Sequence, residues 1–354
     1  MERPPKKNRT AEAVVAAGIL VALGLLIAVG VASGSAGANL GAWADYYGRT
    51  FAGSFTGFVY VTIVYLCLVA MMLVIWSLGK SFLMVMFPAL RKGRKDDPLA
   101  TLLAVVRRSR EVWLIIPAIL FIIVMALAMG EANEFARARL ADAAVIGIEH
   151  AIFGNYVFAA LGAVRYPHWL IEFIIGSFEN MSVILIGAGM VLAYLAPRRF
   201  RELIVAFCLG LLIMFPIWLA VPVLSPQDRY IDNVYGLPDP PRIAIAVADY
   251  HPQPEIADFL AGVRAQKAGL PALPTSTMPS AHIFWAALAG YYLFRAKKWL
   301  GWVALPFLAA SSFGTVLLAQ HYFADIPAGL AVAALAIWLA SISSASRETP
   351  RALP

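Results

Sequence analysis

Residues 275–290 read TSTMPSAHIFWAALAG, and residues 314–329 read GTVLLAQHYFADIPAG. Each stretch carries one of only five histidines in the chain, His282 or His321, where a polar stretch runs into an apolar one. A helix needs roughly 20 predominantly apolar residues to cross a bilayer core. Both histidines therefore read as residues at the ends of membrane spans, and the rest of the chain supports that reading.

The 354 residues are 61% hydrophobic and 14% charged, against about 45–50% and about 25% for soluble domains. Apolar segments at about 12–33, 54–78, 112–130, 168–195, 203–224, 279–295, 300–319 and 322–343 predict an all-α polytopic membrane protein with about eight spans. The first lies between MERPPKKNR and SGSAGA, a layout that also suits a signal peptide. Its apolar region is longer than the usual 7–15 residues, so it reads as a retained anchor. Cys67 and Cys208 both fall in apolar runs, which argues against a disulfide framework. No Cys/His spacing suggests zinc and no glycine-rich turn suggests a nucleotide, so neither a metal nor a cofactor is expected.

The net charge of +7 raises the question of nucleic acid, but its placement points to a membrane. With the N-terminus inside, the inner segments hold 20 of the 28 Lys and Arg residues and the outer segments 8. This is the positive-inside pattern of a multi-pass cell-membrane protein with both termini cytoplasmic. The run RKGRKDD (91–97) then reads as a cytoplasmic loop near anionic lipid, with no nucleic-acid partner. Spans 279–295 and 300–319 form a hairpin that returns His321 to the outer face, where His282 begins its span.

Three regions are expected: a two-helix extension with its basic loop (1–110), a six-helix core (111–345) and a cytoplasmic tail (346–354). Within the core, residues 225–278 form a long outer segment containing SPQDRY, LPDPPR and HPQPE. Segments of this length are often lids, binding loops or disordered. Residues 131–153 are partly amphipathic and are expected to lie along the outer interface as a helix.

In HYFAD, His321 and Asp325 are four apart, so on a helix they share a face. A carboxylate on one imidazole nitrogen fixes the tautomer and makes the other nitrogen a better base or nucleophile. Alone, the pair fits an interfacial polar contact equally well. In TSTMPSAH, Pro279 suits a first helical turn and any of Thr275, Ser276 or Thr277 could cap it. That helix start offers free N–H groups to an anion, Ser280 adds a hydroxyl, and His282 is placed to move a proton. Together the two stretches supply a nucleophile, an acid and phosphoryl donors, the parts a phosphoester reaction needs.

MPSAH followed by HYFAD in consecutive apolar helices resembles the type 2 phosphatidic acid phosphatase superfamily of lipid phosphatases and phosphotransferases. The resemblance implies a phosphohistidine mechanism without metal. His321 is then the nucleophile, Asp325 its activator and His282 the acid for the leaving group. The phosphatases also carry Ser-Arg where this chain has Gly314 and Thr315, and an upstream Lys-x6-Arg-Pro stretch that is missing here. The branch that lacks these arginines includes inositol phosphorylceramide synthase and, more distantly, sphingomyelin synthase. IEHAIFGNYVFAAL (148–161) and YPHWLIEF (166–173) loosely resemble its first core helices, and VPVLSPQDR (221–229) its Pro-rich basic turn. The last of these makes Arg229 a candidate phosphate clamp. The resemblance spans about residues 142–340.

Glu172 and Glu179 lie seven apart in the fourth segment, with Asn180 beside the second. Ionisable groups inside spans usually face protein or water, so Glu179 is a candidate for the substrate cavity, while Glu172 reads as interfacial. His150, His168 and His251 read as ordinary interfacial or loop residues. The expected activity is transfer of a phospho-head group from a membrane phospholipid donor to a lipid alcohol acceptor at the outer face. A lipid phosphate or polyprenyl diphosphate phosphatase is the close alternative. A lipid transporter without chemistry is the reading from another class.

Overall fold

A computed structural model describes residues 10–32, 39–46 and 114–345. The expected span at 54–78, the RKGRKDD loop and the tail 346–354 lie outside the described residues.

The described chain is helical: α1 Thr10–Ala32, α2 Ile115–Ala136, α3 Asp142–Phe153, α4 Val157–Gly162, α5 His168–Glu179, α6 Met181–Leu195, α7 Pro197–Ala220, α8 Pro241–Ala248, α9 Pro254–Lys267, α10 Ala281–Ala296, α11 Lys298–Leu317 and α12 Asp325–Ala345. Among the described residues there is no strand, only an isolated bridge between Val223 and Ser276. Helices α1, α2, α7, α11 and α12 are long and apolar enough to cross a membrane, and α5 with α6 make a sixth crossing if taken together. The protein is an all-α polytopic membrane protein.

Four sequence expectations need correction. The segment 168–195 is not one straight span: α5 and α6 meet at 66°. At the break, Asn180 turns its side-chain amide onto the Gly176 carbonyl, so its polar group is satisfied locally. The third span does not stop near residue 130 but runs on to Ala136. Protein contacts, not water, receive its polar end, since Asn133 Oδ1 accepts from both the N–H and the hydroxyl of Thr275 at 3.0 Å. The interfacial helix expected over 131–153 is therefore shorter. It begins at Asp142, after a 3₁₀ turn over Arg137–Arg139, and ends at Gly154, whose left-handed φ of 66° lets its N–H cap the His150 carbonyl. Finally, residues 225–278 are folded, carrying a π-turn over Gln227–Ile231 followed by α8 and α9.

Helix α7 runs through the middle of the bundle, against α1, α2, α6, α10 and α12. Close approach is bought by small residues. A Cβ on Gly210 of α7 would sit 2.1 Å from Phe284 of α10, so only glycine lets that buried ring lie against the α7 backbone. Ion pairs tie the start of α7 together: Arg201 reaches Glu12 of α1 at 3.0 Å, and Arg199 reaches Glu202 at 2.6 Å.

The C-terminal ends of α2, α7 and α11 meet the N-terminal ends of α10 and α12 at the opposite end of the bundle. Backbone hydrogen bonds link these ends: Ala141 N–H to Pro222 O at 2.8 Å, Val223 N–H to Thr275 O at 3.0 Å and Gln227 N–H to Ala319 O at 2.9 Å. A second apolar cluster, with Tyr230, Tyr322, Ile171 and Phe158 fully or almost fully buried, fills this end. Residues 225–278 are fastened over it. Gln253 exchanges two hydrogen bonds with the Tyr166 backbone, at 2.7 and 3.0 Å, and Glu255 meets His168 at 2.7 Å.

Candidate active site

Both histidines of the opening stretches lie at this end, and their rings are 5.8 Å apart, centroid to centroid. His321 lies in the turn between α11 and α12, not on a helix face. The expected contact with Asp325 forms all the same, at 3.1 Å from Nδ1 to Oδ2. The turn itself makes it: Asp325 Oδ2 also accepts the Tyr322 N–H at 3.0 Å, and the His321 N–H is held by the Thr315 carbonyl at 2.9 Å.

The two ring nitrogens of His321 have different surroundings. Nδ1 faces two acceptors, Asp325 Oδ2 and the Thr277 carbonyl at 3.0 Å. It therefore carries the proton, which leaves Nε2 as the lone-pair nitrogen. Nε2 meets the Ser280 hydroxyl at 3.2 Å, and the hydroxyl donates to it. Burial pushes the His321 imidazole below its usual range, so the ring is neutral at pH 7.

Ser280 has a second task. It is the N-cap of α10, its Oγ accepting the Ile283 N–H at 3.3 Å. The cap is thus Ser280 and not Thr275, Ser276 or Thr277. The Thr277 hydroxyl donates to the Val223 carbonyl, and Thr275 is spent on Asn133. Pro279 precedes the helix, its carbonyl accepting from the Trp218 indole at 3.0 Å. His282, in the first turn of α10, stacks flat on Phe178 of α5, with centroids 4.3 Å apart and planes 6° apart.

The remaining expected residues lie near but are not joined to this group. Arg229 is in the π-turn, which is bonded to the His321 turn through Gln320 Nε2 to Gln227 Oε1 at 2.8 Å. Its guanidinium is buried and already engaged, by Asp239 at 2.6 Å and the Pro238 carbonyl at 2.9 Å. Glu179 is exposed at the end of α5, one residue beyond Phe178; Glu172 is exposed as well. Gly314 and Thr315 mark tight packing. A Cβ on Gly314 would lie 2.9 Å from Ile174 of α5, and Thr315 is fully buried.

Sequence reasoning missed two carboxylates behind the His321 turn. Asp142 and Glu149, seven apart on α3, are both 1% exposed. Asp142 Oδ1 accepts from the Tyr322 hydroxyl at 3.0 Å and the Leu224 N–H at 2.9 Å. Glu149 accepts from the Phe323 N–H at 2.7 Å and the Val157 N–H at 2.8 Å. Burial raises both acids, Asp142 to about 6. Two acids at heptad spacing on an otherwise apolar helix were the available signal. Lys267 of α9 also belongs to this end of the molecule; it is half-buried and pairs with buried Asp228 at 2.6 Å. Among the described residues, no group of three or more His, Cys, Asp or Glu side chains is arranged to hold a metal ion.

An oriented imidazole, a capped helix start and a second histidine thus lie together at one end of an apolar helical bundle, an arrangement that holds the parts phosphoester chemistry needs. Comparison with known families agrees: the model of the PAP2 superfamily matches residues 143–339. The chain belongs to the PAP2 superfamily, whose members are phosphatases and phosphotransferases, and this supports enzyme activity on phosphoesters. Comparison with curated proteins and with solved structures returned no match.

Proposed function

We propose that this protein is a membrane phospholipid head-group phosphotransferase, similar to inositol phosphorylceramide synthase, acting at the outer membrane face through a phosphohistidine. The observation that carries the reading is the tautomer of His321, whose Nε2 lone pair points to the Ser280 hydroxyl while two acceptors hold Nδ1.

In the first step Nε2 attacks phosphorus, and the bond to the lipid alcohol breaks. His282 is assigned as the acid that gives a proton to the departing oxygen. The phospho-head group is now on His321, and the positive charge that develops on the ring is offset by Asp325. In the second step an acceptor lipid alcohol attacks the same phosphorus. Its proton passes to His282, and Nε2 is released. Ser280 and the first N–H groups of α10 are assigned to the phosphoryl oxygens. Arg229 and Glu179 remain candidate substrate contacts, Arg229 through the guanidinium donors that Asp239 and Pro238 leave over.

Transfer is favoured over hydrolysis because residues 225–278 fold over this end of the bundle, which supports exclusion of water. The arginine of the phosphatase pattern also has no counterpart at buried Thr315.

The test is mass spectrometry of purified protein incubated with a phospholipid panel, with and without ceramide or diacylglycerol, beside His321→Ala. A new phospholipid that needs wild type and acceptor establishes transfer and names the head group. Free phosphate or phospho-head group without acceptor product replaces this reading with a lipid phosphatase. Equal turnover by His321→Ala rejects the phosphohistidine.

A further inference from the structure

The turn that carries His321 is anchored from behind at its next two residues. Tyr322 is fully buried and gives its hydroxyl to Asp142; the Phe323 N–H goes to Glu149. Both acceptors lie on α3, a helix that contributes nothing else to the histidine cluster. Asp142 Oδ1 also takes the Leu224 N–H, so one oxygen ties together α3, the chain leaving α7 and the nucleophile turn.

Carboxylates are costly inside protein unless they are well used. The Tyr322 hydroxyl in turn needs an acceptor in its buried site. Among the described residues, the imidazole's hydrogen bonds go to Thr277, Ser280 and Asp325, and Asp325 takes its own position from the Tyr322 N–H. A shift of Tyr322 therefore moves Asp325 and the ring together.

We propose that Asp142 is a positioning residue for the nucleophile: through the Tyr322 hydroxyl it holds the His321–Asp325 turn at the distance phosphoryl attack requires. Glu149 acts in parallel through the Phe323 N–H. The role requires an acceptor oxygen and not a negative charge. The inference rests on the reading of His321 as nucleophile, and it makes a statement about the turn that can be read without turnover.

The experiment uses the full chain in detergent or nanodiscs with four variants: Asp142→Ala, Asp142→Asn, Tyr322→Phe and His321→Ala. Two readouts are taken. One is kcat and KM for lipid turnover. The other is the rate at which diethyl pyrocarbonate modifies His321, followed by peptide mass spectrometry. Asp142→Ala and Tyr322→Phe are expected to lower kcat about ten-fold or more with KM little changed, and to speed modification of His321 several-fold. Asp142→Asn keeps the acceptor and is expected to restore both readouts to near wild type. Wild-type kcat and modification rates in both Asp142→Ala and Tyr322→Phe overturn the proposal. So does an Asp142→Asn protein as impaired as Asp142→Ala, which makes charge the operative property, or an effect confined to KM. Should Asp142→Ala fail to fold, Tyr322→Phe, which keeps the ring, decides alone. Full turnover by His321→Ala counts against the proposed function, while the modification rates still report whether Asp142 holds the turn.

Discussion

The two acceptors on His321 Nδ1 divide the labour at the proposed nucleophile. Asp325 brings charge; the Thr277 carbonyl brings only direction. Asp325→Asn should accordingly reduce kcat by roughly 10–100-fold without abolishing it, because Thr277 still fixes the tautomer. His321→Ala should remove turnover altogether, with any remainder set by the detection limit of a radiolabelled lipid assay. Ser280→Ala removes a helix cap and the Nε2 partner at once. It should cost about 1 kcal/mol in thermal unfolding and also depress kcat, whereas Ser280→Thr should spare the cap. At this scale the sequence was informative where spacing alone decides: His321 and Asp325 could be paired from HYFAD and His282 placed from PSAH. It was silent where the partner comes from another segment. Thr277 contributes a backbone carbonyl, which no residue type announces. Phe178, which stacks on His282, comes from another helix just ahead of the break between α5 and α6.

Helix packing decides whether these residues stay aligned. The start of α12 lies so close to the cap of α10 that a Cβ on Gly329 would be 2.8 Å from the Ser280 carbonyl oxygen. The Ser280 N–H in turn reaches toward the Asp325 carbonyl at 3.5 Å. Gly329→Ala should push the two helix starts apart, reducing turnover at least several-fold while the rest of the bundle melts nearly as before. Circular-dichroism melting beside a turnover assay checks this. Apolar periodicity revealed most helices but not their ends. The third span outran its predicted limit because Thr275 satisfies Asn133, and the last began three residues late because His321 occupies a turn. In the first case a tertiary hydrogen bond overrode the local pattern, and in the second the turn's own bonds to Thr315 and Asp325 did. The acids of α3 went unnoticed for a related reason: the helix looked amphipathic, and nothing in one sequence says whether a polar stripe meets water or a buried turn.

The molecule as a whole has an end where His282 and His321 meet and an end where α7 starts with a run of arginines. Burial of Asp142 at the histidine end leaves a thermodynamic trace. Its carboxyl titrates near 6 in the fold against the usual 3.8, so the folded state holds this proton more tightly than the unfolded chain does. That contribution to stability is complete below about pH 4 and is lost as pH rises through about 6; it amounts to at most about 3 kcal/mol. Melting temperature should therefore fall between pH 5 and pH 7.5, and Asp142→Asn should flatten the slope; an unchanged slope would count against a buried, proton-holding Asp142. The folding of residues 225–278 was not legible, since their prolines open helices here as readily as they break them: Pro241 and Pro254 each sit at a helix start. One dimension remains. Helix α10 has 16 residues, about 24 Å of rise, against a hydrocarbon layer of about 30 Å. With Arg295, Lys297 and Lys298 at one water boundary of such a layer, Ser280 and His282 would end short of the other. On the proposed function, the reacting phosphorus would then be met below the plane of the head groups. Bilayers of longer acyl chains should bury that meeting point further and slow the enzyme, while thinner ones should bring it within reach.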